Sequence, residues 1–375
     1  MGKGGIMKEI RLFQPYLPVN ARKAAYAAMK DRWIGCGTKT DEMEQLFNIT
    51  YGVKYSVAMN SCTSALHMAY VLAGIKEGDE VITSVFTCTA TNIPIRWCGG
   101  IPVYADIQKD TFNIDPKDIE HRITDKTKAI ALVHWGGYPA DMDEIMDIAK
   151  RHNLKVIIDA AHALEATYKG KSIAQYGDYV CYSFQAIKQI TTVEGGMLVI
   201  NTNEEDYKRA NVLRWYGIDR RADRDKTDRY ENFTELGYRY IPNDVFMAMG
   251  IVQFRDNLPI VIRHRRKLAD LYYEFLKDNN NITLLKRDTD RESGWWLMTI
   301  LCKDRDKVRK VLAEHNIATG MAHFRNDISP AISLKGKQVF PNMDEVDGHY
   351  VCLPIHYDVT ENDVKRICDI LNTQI

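Results

Sequence analysis

From residue 55 onward, short runs rich in β-branched residues alternate with longer polar or amphipathic segments; the runs are 55–59, 80–83, 102–104, 129–134, 155–159, 179–183 and 196–200. Neighbouring parallel strands must be joined by a crossover of a dozen or more residues, usually a helix, so this alternation predicts an α/β fold with a mostly parallel sheet flanked by helices. Segments 63–73 and 142–152 read as two of the crossovers. The second carries Ile145, Met146, Ile148 and Ala149 at helical spacing.

Past Gly196 the pattern changes. Residues 219–228 are crowded with Asp and Arg and read as a solvated loop. Residues 259–276 read as a long helix with Pro259 at its first position, where proline's missing N–H costs nothing. The step Asp256-Asn257-Leu258 before it is the expected hinge. A strand over 294–301 and helices over 304–315 and 361–372 then suggest a smaller α+β domain. The expected division is 1–257 for a large domain and 258–375 for a small C-terminal one. There is no internal repeat or low-complexity tract.

The 50 lysines and arginines equal the 50 aspartates and glutamates, which leaves no overall basic field for nucleic acid. The eight cysteines form no CxxC pair, which argues against zinc knuckles and thioredoxin-like chemistry. They read as reduced, mostly buried thiols of a cytoplasmic protein, and no metal site is expected. The N-terminus lacks the apolar core of a signal peptide, and Met7 is a plausible second start. The longest apolar stretch, 55–75, is broken by Asn60, Ser61, Thr63, Ser64 and His67, so no membrane span is expected.

Three segments carry the chemistry: Asp159-Ala-Ala-His162, Ser183-Phe-Gln-Ala-Ile-Lys188 and Glu194-Gly-Gly196. The first two place polar groups at the carboxyl ends of strands, the edge where open α/β sheets bind ligands. Transamination needs an amine that forms a Schiff base, an acid that keeps a pyridine nitrogen protonated, and donors for a phosphate. Lys188, Asp159 and Ser183 fit those needs in turn. The segment 60–65 adds small hydroxyl residues at a helix start, a ready anion site. Singly, each has a plainer reading: Asp159 as a helix cap, Lys188 as a surface charge, His162 as a packed histidine, Glu194-Gly-Gly as a turn. Their ordered co-occurrence favours the chemical reading.

With these motifs, and with Trp33-Ile34 before Gly37, Gly78-Asp-Glu-Val-Ile82, Val133-His134 and Leu236-Gly-Tyr238, the chain resembles the DegT/DnrJ/EryC1/StrS family of sugar aminotransferases over about 12–371. The resemblance implies the type I fold of pyridoxal 5′-phosphate (PLP) enzymes and a PLP/PMP cycle. It implies Lys188 as the Schiff-base lysine, Asp159 on the ring nitrogen, His162 at the ring or its 3′ oxygen, and Thr63, Ser64 and Ser183 on the phosphate. It also implies a homodimer with shared active sites, in which Arg239 reaches the neighbour's phosphate. The donor it implies is L-glutamate, and the acceptor a nucleotide-linked keto-sugar.

Three positions depart from the family pattern. Arg239 stands where asparagine is commoner, although a guanidinium also grips phosphate. An ungapped match puts Thr87 where an aromatic usually stacks on the cofactor, with Phe86 one position early, and Thr87 is expected to pack at that face. Tyr216 replaces a frequent histidine. Tyr216, Arg325 and Trp33 are substrate candidates, and Arg214, Arg220 and Arg221 could also meet a diphosphate or carboxylate. Lys188 argues against the dehydratases of this family, which carry histidine there. The leading expectation is a 4-aminotransferase of a 4-keto-6-deoxyhexose in surface-glycan (lipopolysaccharide or other polysaccharide) synthesis. The alternatives are a 3-keto sugar, cyclitol or small keto-phosphate as acceptor, or a regulator that has lost catalysis.

Overall fold

The computed structural model describes residues 8–219 and 235–375. Two helices, α1 (Val19–Lys30) and α2 (Thr38–Tyr51), precede β1 (Tyr55–Met59). Helix and strand then alternate: α3 (Cys62–Leu72), β2 (Glu80–Ser84), α4 (Thr89–Trp97), β3 (Ile101–Ala105), α5 (Pro116–Arg122), β4 (Thr127–Val133), α6 (Met142–His152) and β5 (Lys155–Asp159). The short strands β6 (Thr167–Tyr168) and β7 (Lys171–Ser172) form a hairpin. Then come β8 (Tyr179–Ser183), β9 (Gly196–Ile200) and α7 (Glu204–Leu213).

Seven strands form one sheet in the order β1-β9-β8-β5-β4-β2-β3. Only β9 runs against its neighbours; the pairs β8-β5, β5-β4, β4-β2 and β2-β3 are parallel. Successive side chains alternate between faces. Val156, Ile158, Val180, Met197 and Val199 therefore enter one core cluster, and Ile157, Tyr179, Cys181 and Leu198 enter another on the opposite face. A sheet covered by helices on both faces explains why these strands read as nearly continuous apolar runs.

Beyond the sheet lie α8 (Asp244–Val252) and α9 (Leu258–Leu276), joined by a π-helical turn over Gln253–Asn257. The expected hinge at 256–258 is thus inside one helical stretch, Asp244–Leu276. Pro259 has no N–H for the carbonyl four residues earlier, and the widened π turn absorbs that mismatch without ending the helix. This stretch is long and apolar enough to cross a membrane, yet 61% of its apolar window is buried within the fold.

The remaining elements are β10 (Ile282–Leu284), β11 (Arg291–Glu292, paired with β6), β12 (Met298–Cys302), α10 (Arg305–Glu314), α11 (Pro341–Val346), β13 (Tyr350–Leu353) and α12 (Glu361–Gln374). The antiparallel sheet β10-β12-β13 packs with α9, α10 and α12 around Leu268, Tyr272, Ile300, Leu312, Val351 and Ile367. Strand β12 starts later than the sequence suggests. Trp295 adopts a positive φ of 44°, and the main chain of Gly294, Trp296 and Leu297 bonds to Gly136 and Gly137 instead of a strand.

Candidate active site

Asp159 ends β5 and Ser183 ends β8, two adjacent parallel strands, so both side chains reach the carboxyl edge of the sheet. Asp159 is buried. Its Oδ1 accepts from the Ala161 N–H at 3.0 Å, with the Cys62 thiol at 3.9 Å, and its Oδ2 accepts from the Thr91 hydroxyl at 2.7 Å. Thr91 Oγ1 is in turn 2.7 Å from Thr87 Oγ1. These donors are all neutral, and burial raises the Asp159 pKa, against the opposing pull of these donors and of Lys188. A cationic ring nitrogen is the partner such a carboxylate lacks.

The loop after β8 is wound tightly. Ser183 Oγ accepts from Gln185 N at 3.3 Å, and Lys188 N donates to Gln185 O at 3.0 Å. Lys188 is thereby returned toward Asp159, and its ammonium lies 3.6 Å from the centroid of the Trp296 ring. Burial lowers its pKa to about 8, although Asp159 favours the charged form. A lysine depressed this far has a usable share of neutral amine near physiological pH, as Schiff-base chemistry requires.

His162 is buried and stacks on Trp296, with ring centroids 3.9 Å apart at 20°. Its Nε2 lies 3.4 Å from His323 Nε2, and its Nδ1 has no hydrogen-bond partner among the described residues. Burial first, then Lys188, drives its pKa well below 6.5, so the ring is neutral. An orphaned buried nitrogen beside the lysine is what a polar ring substituent would satisfy.

The anion end is built by α3. Ser61 caps it by accepting from Ser64 N, Ser64 Oγ donates to Asn60 Oδ1 at 2.6 Å, and Thr63 is half-buried on the first turn. The first N–H groups of a helix have no intrahelical acceptor and favour an anion. Gly196 explains the Glu-Gly-Gly motif here: a Cβ at this position would sit 2.5 Å from the Ser61 carbonyl carbon. Asn60 also donates to Arg239 O at 3.2 Å, tying the 238–240 segment to the base of α3. The exposed Arg239 guanidinium lies over Trp215, 4.3 Å from its centroid, and 3.4 Å from the Tyr216 hydroxyl.

The structure thus brings Lys188, Asp159, His162 and Ser183 to one sheet edge, near the start of α3, and sets Tyr216 beside Arg239. The other expected residues make the following contacts. The Thr87 hydroxyl is held by Thr91 in the chain leading to Asp159, and Phe86 stacks on Trp135 in the core, 4.2 Å between centroids, on the turn that follows β2. Arg325 gives its guanidinium to a bidentate pair with Asp327 at 2.7 and 2.8 Å and to Asp344, leaving it no fork for a substrate carboxylate. Arg214 is likewise spent on buried Glu44. Trp33 is exposed and lies against Gly37, lining a groove with Asp244 and Arg255. Arg220 and Arg221 lie outside the described residues.

Three residues escaped the sequence reading: Thr91, Trp296 and His323. Thr91 had a signal, since it stands four residues after Thr87 at a helix start. The other two come from remote segments, and nothing in their local sequence points to the lysine.

A large, mostly parallel sheet carrying this lysine, carboxylate and helix start defines a PLP-dependent aminotransferase. The sequence profile of the DegT/DnrJ/EryC1/StrS aminotransferase family matches residues 17–372, and the chain belongs to that family. It is 31% identical to the GDP-perosamine synthase of Escherichia coli O157:H7, covering 98% of each chain. It is 33% identical to the spore coat polysaccharide biosynthesis protein SpsC of Bacillus subtilis, over 91% of this chain and 90% of that one. The PLP form of the putative sugar aminotransferase Spr1654 of Streptococcus pneumoniae superposes with a TM-score of 0.90 at 26% identity, covering 98% of both. The protein is therefore a PLP-dependent sugar aminotransferase of nucleotide-sugar or polysaccharide biosynthesis.

Proposed function

We propose that the chain transfers the amino group of L-glutamate to the carbonyl of a nucleotide-linked 4-keto-6-deoxyhexose, in the cytoplasm, for surface-glycan synthesis. The observation that carries the reading is Lys188, buried beside Asp159 with its pKa lowered to about 8. Similarity to a GDP-perosamine synthase over 98% of both chains makes guanosine diphosphate the first nucleotide to test.

When bound, the cofactor supplies a carbonyl carbon that exchanges the amino group and a cationic ring that withdraws electrons from it. Asp159 holds a proton on the ring nitrogen through a charge-assisted bond. His162, neutral and with no partner for Nδ1 among the described residues, would orient the ring. Thr63, Ser64 and Ser183 hold the phosphate at the start of α3. Lys188 Nζ, once free, would move a proton between the amino-bearing substrate carbon and the cofactor carbon that exchanges the amino group, a step that typically contributes a hundredfold or more. The exposed Arg239, steadied on Trp215, completes the phosphate site of a second copy in a homodimer, with Tyr216 beside the sugar. Residues 1–257 and 258–375 serve as the large and small domains.

The test offers the PMP-loaded enzyme a panel of keto compounds and follows recovery of the PLP spectrum, with product mass. A GDP-linked 4-keto-6-deoxyhexose should restore the spectrum and yield the amino sugar, and L-glutamate should reverse the change. Recovery only with a 3-keto sugar, a cyclitol or a keto-phosphate overturns the assignment.

A further inference from the structure

We propose that Trp296 is a positioning residue that receives the Lys188 ammonium on its indole ring and fixes the lysine loop through its own N–H. The inference rests on reading Lys188 as the Schiff-base lysine.

Trp296 is 3% exposed and reaches the lysine from the irregular segment before β12. Its Nε1–H donates to the carbonyl of Ile187, the residue preceding Lys188, at 2.9 Å. Lys188 Nζ lies 3.6 Å from the ring centroid, well inside cation–π range, and His162 stacks on the same side chain at 3.9 Å. One indole thus touches the backbone of the lysine loop, the lysine head and the histidine.

The side chain is itself fixed from behind. Trp296 N donates to Gly136 O at 2.8 Å, and Arg265 Nη1 donates to the carbonyls of Trp295 and Trp296 at 3.0 and 3.3 Å. Gln189 Nε2, one residue past the lysine, bonds both His162 O and Gly294 O, closing the circuit between the two segments. Phe13 lies nearly parallel to the indole at 5.3 Å. So much fixation of one ring against a reactive amine exceeds what filling a core requires.

The charged and titratable neighbours acting on Lys188 are Asp159, Cys62 and Cys88, which favour the ammonium, and His162 and His323, both held neutral by burial. Against that background a desolvated cation–π contact should raise the affinity of Lys188 for its proton by roughly one pH unit, about tenfold. Two variants separate the two contacts. Trp296→Phe keeps an aromatic face and loses the donor to Ile187, whereas Trp296→Leu loses both.

The measurement is competitive acetylation of Lys188 across pH in the PMP-loaded enzyme, where the lysine is free, read by mass spectrometry. The Lys188 titration should fall by about one pH unit in Trp296→Leu and stay near wild type in Trp296→Phe. Both variants should hold PLP more weakly than wild type, through the loosened loop. A titration unchanged or raised in Trp296→Leu, or PLP retention unchanged in Trp296→Phe, overturns the proposal. Borohydride reduction of the PLP-loaded wild type is a separate check: failure to attach the cofactor to the Lys188 peptide would sink the lysine assignment itself.

Discussion

Burying Lys188 costs the apoprotein stability, and methionine at that position should return it. The lysine titrates near 10.5 when free and at about 8 in the fold, because it has been taken out of water. At 1.36 kcal/mol per pH unit the penalty is about 3 kcal/mol once both states are charged, below pH 8. In the window between about 8 and 10.5 the unfolded chain binds more protons than the native one. Native stability therefore rises with pH there, and above 10.5, where both states are neutral, the penalty is gone. Lys188→Met, which fills a similar volume without charge, should be more stable than wild type by about 3 kcal/mol at pH 7, with the advantage shrinking toward zero as pH approaches 10.5. Urea unfolding of the two cofactor-free proteins at several pH values measures it. No gain at pH 7, or a gain of equal size at pH 10.5, would refute the reasoning, the second outcome assigning the effect to packing. The variant should have no transaminase activity, so the lysine marks a position where stability yields to chemistry.

Two further perturbations test other parts of the site. Arg325→Met leaves Asp327 buried without its partner and should cost about 3–5 kcal/mol in denaturant unfolding, with KM for glutamate unchanged; a raised KM without loss of stability would return Arg325 to the substrate. Gly196→Ala forces a methyl against the Ser61 backbone, so it should destabilise by about 1–3 kcal/mol and weaken PLP binding by displacing the start of α3. Wild-type cofactor affinity in that variant, measured by dialysis against free PLP, would contradict the close fit of β9 on α3.

By itself the sequence determined the alternating α/β order and placed Asp159 and Ser183 at strand ends, because short apolar runs and crossover segments are local properties of the chain. It also marked Lys188 and the start of α3, whose chemistry lies in short contiguous motifs. It could not place Phe86 in the core, nor show that Thr87 leads through Thr91 to Asp159, because both depend on how the turn after β2 meets β5. Arg325 was a substrate candidate in the sequence, and only the fold shows Asp327 and Asp344 set against it. Trp296 is the clearest case, more than a hundred residues from the lysine, with a backbone bent at Trp295 that no propensity predicts. Local motifs declare which groups can react. Which neighbours set their charge and hold them still is decided by contacts between distant segments, and these form only when the chain has folded.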